Sequence, residues 1–288
     1  MLEQEIESPV TLEQQVTRAQ GGERAALEWV IHAVQKDVYQ LAMRFLWHPQ
    51  DAEDATQDIL IRVITGLSSF RNESGFRTWV YRIASNALLT LRKQRIEKLA
   101  LNFESFAEDL AEGLSDTRLR VEDRAGDDLL LEEVKVGCTL AMLQCKDREH
   151  RMAYILGEIM ELEHLAASAV LEISSAAFRQ RLSRARGSIL TFMQSYCGLI
   201  NSDADCRCHR RVDTAVEQGR VNSSQLLFAT SQQQAKQFPQ VLIEIRKLEK
   251  TRRVAALYQS HLQPKASDEF TVWLRHQLDD VVTVNSPK

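Results

Sequence analysis

Helical spacing of apolar residues is the feature that most constrains the fold of this chain. Between residues 23 and 47, apolar side chains recur every three or four positions, at Leu27, Val30, Val34, Val38 and Leu41. That spacing places them on one face of an α-helix. Similar spacing continues along most of the 288 residues, and only 11 glycines and 5 prolines interrupt it. We therefore predict an all-α protein.

Residues 51–95 combine this helical pattern with an unusual distribution of charge. The sequence predicts one helix over 51–67, N-capped by Asp51, then a polar loop over 68–75 and a second helix from Phe76. A face of the first helix away from its apolar stripe is acidic and polar. An acidic helix face of this kind suits a positively charged protein partner. It consists of Glu53, Asp54, Gln57 and Asp58.

The loop and the second helix carry cations interleaved with aromatic rings. Cations contact phosphates, and aromatic faces stack on bases pulled from a duplex, so this pattern is typical of nucleic-acid binding. Trp79, taken alone, fits a core position as well. The candidate DNA-binding residues are Phe70, Arg71, Asn72, Arg77, Trp79, Tyr81, Arg82 and Asn86.

The segments DAEDATQDI, FRNESGF and TWVYRIASNALLTLRK resemble, in order and spacing, region 2 of sigma-70 family RNA polymerase sigma factors. The resemblance is to the extracytoplasmic-function (ECF) group. It implies that the acidic face binds core RNA polymerase and that the loop and second helix hold the unpaired strand of the −10 element. We place this domain at residues 11–96, starting at a capping box of Thr11 and Gln14. The alternative is an ordinary helical bundle with a solvated acidic face.

A second module is predicted over residues 129–196. Residues 162–190 have the pattern of a helix-turn-helix, whose second helix enters the major groove through its N-terminal residues. This part resembles sigma region 4, which implies contacts with the −35 element. Glu172 stands where that family usually has a turn glycine, so the residue suited to a left-handed conformation is missing. The predicted DNA contacts are Ser175, Arg179, Arg181 and Arg184.

The segment between the two modules, residues 97–128, is predicted to be an acidic linker. Residues 97–133 hold twelve Asp or Glu against four Lys or Arg, and helical periodicity is weak there. The acidity keeps a linker soluble and extended. The resemblance implies a further role, in which the acidic strand passes through the positive cleft of the polymerase as a mimic of nucleic acid.

Residues 197–288 form an extension that a minimal sigma factor lacks. It begins with four soft donor side chains within thirteen residues, which favour a zinc site, another thiophilic metal site or a redox switch. A reduced, unliganded loop is the alternative, because Cys-x-Cys is tighter than the usual zinc spacing. The donors are Cys197, Cys206, Cys208 and His209.

Beyond the cysteines, helices are predicted over 223–236, from Pro239 to Tyr258, and over 267–281. Their apolar faces need a covering surface, supplied by each other, by the earlier modules or by a second chain. We predict that this extension regulates the protein in cis. Cys138 and Cys145, earlier in the chain, fit buried, small apolar positions.

Composition limits the class of function. The net charge is −4, so any DNA contact comes from local patches. No apolar run is long enough to span a membrane, the N-terminus does not resemble a signal peptide, and the five cysteines do not indicate a disulfide framework. We expect a cytoplasmic, non-enzymatic initiation factor, since no catalytic motif is present. The resemblance implies core polymerase, promoter DNA and an anti-sigma protein as partners. The alternatives are a helix-turn-helix regulator that does not act through polymerase, and a metal- or thiol-sensing regulator.

Overall fold

The computed structural model describes residues 11–92, 98, 100–112 and 127–261. Within those ranges the chain forms twelve α-helices, a 3-10 turn at Leu67–Ser69 and a π-helical turn at Ile155–Ile159, and it contains no strand. The helices are α1 Leu12–Gln20, α2 Arg24–Leu46, α3 Pro49–Gly66, α4 Phe76–Thr90, α5 Phe103–Glu112, α6 Asp127–Gln144, α7 Arg148–Tyr154, α8 His164–Val170, α9 Ser175–Tyr196, α10 Cys208–Glu217, α11 Gln232–Lys247 and α12 Lys250–Ser260. The all-α prediction is confirmed.

Helices α1 to α4 form an N-terminal bundle. The predicted capping box is present, because the Thr11 hydroxyl accepts from the Gln14 N–H while the Gln14 side chain accepts from the Thr11 N–H. Gly22, at φ 89, redirects the chain from α1 to α2 with a left-handed backbone that glycine adopts without strain. The bundle interior is apolar, and its fully buried side chains include Phe45, Leu60 and Leu88.

The start of α3 differs from the prediction. We expected Asp51 to cap a helix beginning after Pro49, but α3 begins at Pro49 and its N-cap is His48. The His48 Nδ1 accepts the Gln50 N–H at 3.2 Å. Proline is well suited to the first helical position, because its missing N–H would have no intrahelical acceptor there. Asp51 therefore lies in the first turn of the helix.

The described part of the linker contains a helix, α5, although helical periodicity is weak in this segment. Phe103 and Phe106 pack against Phe192 of α9, with ring centroids 4.8 and 5.7 Å apart. Two cations from the extension hold the far end of α5. Arg211 donates to the Asp109 carbonyl at 2.8 Å, and Arg220 donates to the Asp109 carboxylate at 2.6 Å. The pairing with Arg220 outweighs burial and keeps the pKa of Asp109 below its usual value.

Helices α8 and α9 form the predicted helix-turn-helix. The hydroxyl of Ser174 caps α9 by accepting the Ala177 N–H at 3.2 Å. Glu172 has φ 54, so the turn does require a left-handed residue and the chain supplies a glutamate there. This conformation costs a non-glycine residue free energy that glycine would not lose. The turn therefore carries backbone strain at Glu172, the position where the resemblance to sigma region 4 expects a glycine.

The extension departs most from the sequence-based boundaries. Helix α10 was not predicted, residues 223–231 are not helical, and one helix, α11, runs from Gln232 through Pro239 to Lys247. Ser231 sets its start by accepting the Gln234 N–H. A proline inside a helix removes one backbone hydrogen bond, and here it does not end the helix. The helix predicted over 267–281 lies outside the described residues.

The described part of the extension packs onto the rest of the chain. Helices α10 and α11 contact α6, and α12 contacts α9 and the π-helical turn. Phe228, Val254, Leu257 and Tyr258 share one buried cluster with the bundle and the helix-turn-helix. These contacts bury apolar residues of α12, whereas Val241 and Ile243 of α11 stay exposed. In the described ranges, no helix has both the length and the apolar character needed to cross a membrane.

Candidate polymerase and nucleic-acid interface

The acidic face of α3 is open to solvent at two of its four predicted positions. Asp54 and Asp58 are exposed, whereas Glu53 and Gln57 are half-buried. The opposite face of α3 carries Ile59, which is fully buried in the bundle. Gln50 donates to the Asp54 carboxylate at 3.1 Å and orients it. The bundle thus presents two carboxylates outward on a rigid helix.

The loop before α4 is held by a side chain that sequence reasoning missed. The Gln20 amide donates to the carbonyls of Leu67 at 3.0 Å and Phe70 at 2.8 Å. A glutamine at the end of a helix gives no signal in the sequence, since its acceptors are almost fifty residues away. Arg71 and Asn72 project from this loop and are exposed. Asn72 has φ 56, a left-handed conformation that asparagine adopts more readily than most residues.

The aromatic residues of this region face inward. Phe70 is only 6% exposed, and its ring lies 5.3 Å from both the Phe76 and Trp79 rings. Trp79 is half-buried, as the core interpretation of this residue expects. Tyr81 is buried beside Arg44, whose pKa is lowered to about 10 by burial. These rings shape the loop and α4 in this arrangement, and an unpaired base would meet Phe70 only after the ring cluster opened.

The polar residues of α4 that were predicted to contact DNA differ in their exposure to solvent. Asn86 is exposed. Arg77 is exposed and forms an ion pair with Asp37 of α2. Arg82 is half-buried, and its Nε has no hydrogen-bond partner in the described structure. An outward-facing set for nucleic acid therefore consists of Arg71, Asn72, Arg77 and Asn86.

On α9 the predicted basic face is partly occupied. Arg179 and Arg184 are exposed, but Arg181 pairs with Glu149 of α7 at 2.7 Å. Ser175 is half-buried, and its hydroxyl lies 3.0 Å from the Ser168 hydroxyl of α8. Ser175 thus joins the two helices of the helix-turn-helix. Arg179 and Arg184 are the cations that face solvent.

The cysteines of the extension come together with one from α6. The backbones of Cys197 and Cys206 pair in an isolated parallel β-bridge. In it the Gly198 N–H donates to the Cys206 carbonyl at 3.1 Å. Cys208 begins α10, and the thiols of these three residues lie near the thiol of Cys138. Their spacing in sequence did not indicate Cys138, which lies 59 residues before Cys197 and 70 residues before Cys208. His209 is exposed.

The metal prediction for Cys197, Cys206, Cys208 and His209 stays a prediction. In the part of the chain that the structure describes, all five thiols are free, and no group of three or more His, Cys, Asp or Glu side chains is arranged to hold an ion. Burial raises the pKa of Cys206 to about 11 and also raises that of Cys208. A thiol with a raised pKa is mostly protonated and is a poor nucleophile, which argues against a fast reaction with oxidants.

Comparison with known proteins assigns the chain to a family. Residues 30–96 match the family model described as Sigma-70 region 2. Over 183 residues the chain is 30% identical to the RNA polymerase sigma-H factor of Pseudomonas aeruginosa, a match that covers 62% of this chain and 91% of that protein. This chain belongs to the ECF group of the sigma-70 family.

Relatives that carry the name ECF sigma factor match over a similar length. The chain is 27% identical over 185 residues to the ECF RNA polymerase sigma factor SigW of Bacillus subtilis, covering 62% of this chain and 94% of that protein. It is 27% identical over 175 residues to the ECF RNA polymerase sigma-E factor of Escherichia coli K12, covering 60% and 90%. A solved structure of CnrH in complex with the cytosolic domain of CnrY is 23% identical, covers 62% of this chain and 95% of that chain, and superposes with a TM-score of 0.44. More than a third of this ECF sigma factor therefore lies outside the part shared with each relative.

Proposed function

We propose that this chain binds core RNA polymerase and directs promoter recognition and DNA melting at the start of transcription. One observation carries the proposal. Inside the segment that matches sigma-70 region 2, Asp54 and Asp58 are exposed on α3, and a loop with exposed Arg71 and Asn72 lies between α3 and α4. The carboxylates would meet a basic surface of the polymerase. The loop would meet DNA.

We assign DNA contacts to two surfaces. Arg71, Asn72, Arg77 and Asn86 would hold the unpaired strand of the −10 element, since flanking phosphates need cations and a displaced base needs hydrogen-bonding partners. On α9, Arg179 and Arg184 would contact the −35 element, largely through phosphates. Arg181 would join them only after leaving Glu149. Phe70, Trp79, Tyr81 and Arg82 would act in this arrangement by shaping α4 and its loop.

We also propose that the extension regulates this activity from within the chain. A tethered segment reaches an effective concentration in the millimolar range over a short linker, so even a weak docking surface stays occupied. The buried cluster that the extension shares with the bundle and the helix-turn-helix supports this proposal. A separate anti-sigma protein would then compete with, or reinforce, the intramolecular contact.

A charge-reversal variant tests polymerase binding. Replacing Asp54→Lys and Asp58→Lys together should abolish co-purification with core polymerase, because a carboxylate face becomes a cationic one. Both side chains are exposed, so unfolding by urea and the helical circular dichroism should stay those of the parent. The matched control is Asp203→Lys with Asp205→Lys, two exposed acids of the extension. Equal polymerase binding by the parent and both double variants would contradict the proposal.

A further inference from the structure

The two DNA-facing surfaces lie too close together to act on one promoter at once. Helix α4 packs directly against α8 of the helix-turn-helix, and the buried Ser85 hydroxyl donates to the Met152 sulfur at 3.7 Å. The −10 and −35 elements are separated by about 25 base pairs, or about 85 Å of duplex. The described arrangement is therefore a closed one. Thirty-five residues lead from Arg92 to Asp127, and a chain of that length can extend about 115 Å, enough to let the modules separate.

Side chains that follow the linker close the helix ends of the bundle. The last carbonyls of an α-helix have no partner within the helix, and cations near that end are favourable. Gln144 and Arg151 both donate to the Phe45 carbonyl at the end of α2, at 3.1 and 2.8 Å. Arg148 donates to the Leu89 carbonyl at the end of α4, at 2.9 Å. The closed state thus satisfies carbonyl groups that would otherwise bond to water.

The extension meets both modules at a single junction. The Trp47 indole of the bundle donates to the Gly137 carbonyl of α6 at 3.0 Å. Phe228 of the extension covers this contact, with its ring centroid 5.5 Å from that of Trp47 in an edge-to-face arrangement, and it is 2% exposed. A Cβ added at Gly137 would lie 3.0 Å from the Phe228 ring, so glycine is what lets the ring seat closely.

A buried carboxylate fixes the segment that carries this ring. Glu133 of α6 is 3% exposed and accepts three successive N–H groups, from Leu227 at 2.7 Å, Phe228 at 2.7 Å and Ala229 at 2.8 Å. Hydrogen bonds to a charged acceptor are among the stronger ones in proteins. Residues 227–229, which we call the latch, are thereby docked onto α6 in one geometry.

The surface under the extension is suited to release. Beside Glu133, α6 buries Glu132, Lys135 and Thr139 there. Burial raises the pKa of Glu132 and lowers that of Lys135 although the two side chains form an ion pair, so desolvation opposes docking. These side chains would be well solvated once the extension moved away. The interface is mixed, because Val134 of the same helix packs with Ala215 and Val221 of the extension. Its charged part resembles the interfaces of domains that separate.

We propose that the latch holds the chain in an autoinhibited closed state by joining Trp47 of the bundle to Gly137 of α6. Release of the latch separates the two DNA-facing surfaces and makes the chain competent to bind polymerase and promoter. The apparent affinity for polymerase is then reduced by the fraction of molecules that are closed. This inference rests on the proposed function for its consequence, whereas the closed state itself can be measured on the isolated protein.

The test uses the full chain with Phe228→Ala, which removes the ring from the junction, and Glu133→Gln, which keeps the side-chain shape but loses the charged acceptor. Val241→Ala is the control, since Val241 is a partly exposed apolar residue of the extension on α11. Small-angle scattering of the parent should give a radius of gyration of about 19 Å, as for one compact unit of this length. Both latch variants should be clearly larger, and the control should match the parent.

Binding to core polymerase then separates the two ideas. Both latch variants should bind at least tenfold more tightly than the parent. If the radius of gyration of both latch variants increases but neither the variants nor the parent bind polymerase, the latch stands and the proposed function fails. If neither variant expands and both bind like the parent, the latch is overturned. If circular dichroism shows that Phe228→Ala is unfolded, Glu133→Gln alone decides, through its radius of gyration and its affinity for polymerase.

Discussion

The interior of the N-terminal bundle and the surface of α6 beneath the extension are both buried, yet they are built from different chemistry. The bundle interior is largely apolar, with Phe45, Ile59 and Leu60 fully buried, although Arg44 is buried there as well. The covered face of α6 carries Glu133 and Lys135, at 3 and 2% exposure. Burial of apolar side chains stabilises the folded state, because separation would expose them to water. Burying charged groups costs free energy that separation returns. The larger share of buried charge on α6 is why we propose that this contact is the reversible one.

The largest expected effect lies in the permanent contact. Leu60→Ala removes a fully buried side chain from α3 and should lower the free energy of unfolding by about 2–5 kcal/mol. Urea unfolding followed by circular dichroism measures this loss. The control is Arg62→Ala, an exposed position of the same helix, whose free energy of unfolding should stay within about 0.5 kcal/mol of the parent value. A loss below about 1 kcal/mol would show that the bundle interior is not the rigid part of the molecule.

A smaller, pH-dependent effect is expected in the reversible contact. His261 is buried against α6, where its Nε2 lies 3.1 Å from the Thr139 hydroxyl, and the Tyr258 hydroxyl donates to the Thr139 carbonyl at 2.9 Å. Burial, with Lys135 and Arg44 nearby, holds the pKa of His261 well below its usual value. The docked state therefore keeps this imidazole neutral. Docking is fully stabilised above about pH 6.5 and loses up to about 1.4 kcal/mol per pH unit below it.

This dependence can be followed by the radius of gyration between pH 8 and pH 5. The parent should expand as the pH falls, and His261→Phe, which cannot be protonated, should stay compact over the same range. If the parent and His261→Phe expand at the same pH, titratable groups other than His261 cause the expansion. No expansion of the parent would show that the contact is as permanent as the bundle interior.

The smallest effect is on reactivity, with no change in stability. Cys145 lies next to Gln144, where α6 meets the bundle, and burial raises its pKa to about 12 although Arg151 and Lys146 are near. Only the thiolate is alkylated, so Cys145 should react with iodoacetamide at neutral pH at least tenfold more slowly than free cysteine. Peptide mass spectrometry measures the rate, with urea-unfolded protein as the reference. A native rate equal to the unfolded rate would mean that this contact is already open.

The same contrast explains how far the sequence could predict the structure. The bundle follows from local signals, since the capping box at Thr11 and the start of α4 at Phe76 are as expected and the apolar stripes are buried. In the extension, α11 continues through Pro239, because packing against α6 overrides the local preference. Gln20 and Glu133 act on backbone groups about fifty and about ninety residues away. Contacts of that range leave no periodic trace in a single sequence.

The site was predictable to a similar degree. Exposed acids on α3 and exposed arginines on α9 lie where the helical pattern put them. The inward orientation of Phe70 and the pairing of Arg181 with Glu149 depend on how helices pack against one another within each module. The periodicity of each helix alone could not separate these residues from their exposed neighbours.

One distance measurement tests the central claim most directly. Fluorescent non-natural amino acids placed at Lys36 on α2 and Ser183 on α9, both exposed, report the separation of the bundle from the helix-turn-helix. Energy transfer should be high in the isolated protein and should fall when saturating core polymerase is added, because the proposed latch must open before the chain can bind polymerase. High transfer that core polymerase leaves unchanged, in a sample where polymerase binding is verified, would contradict this.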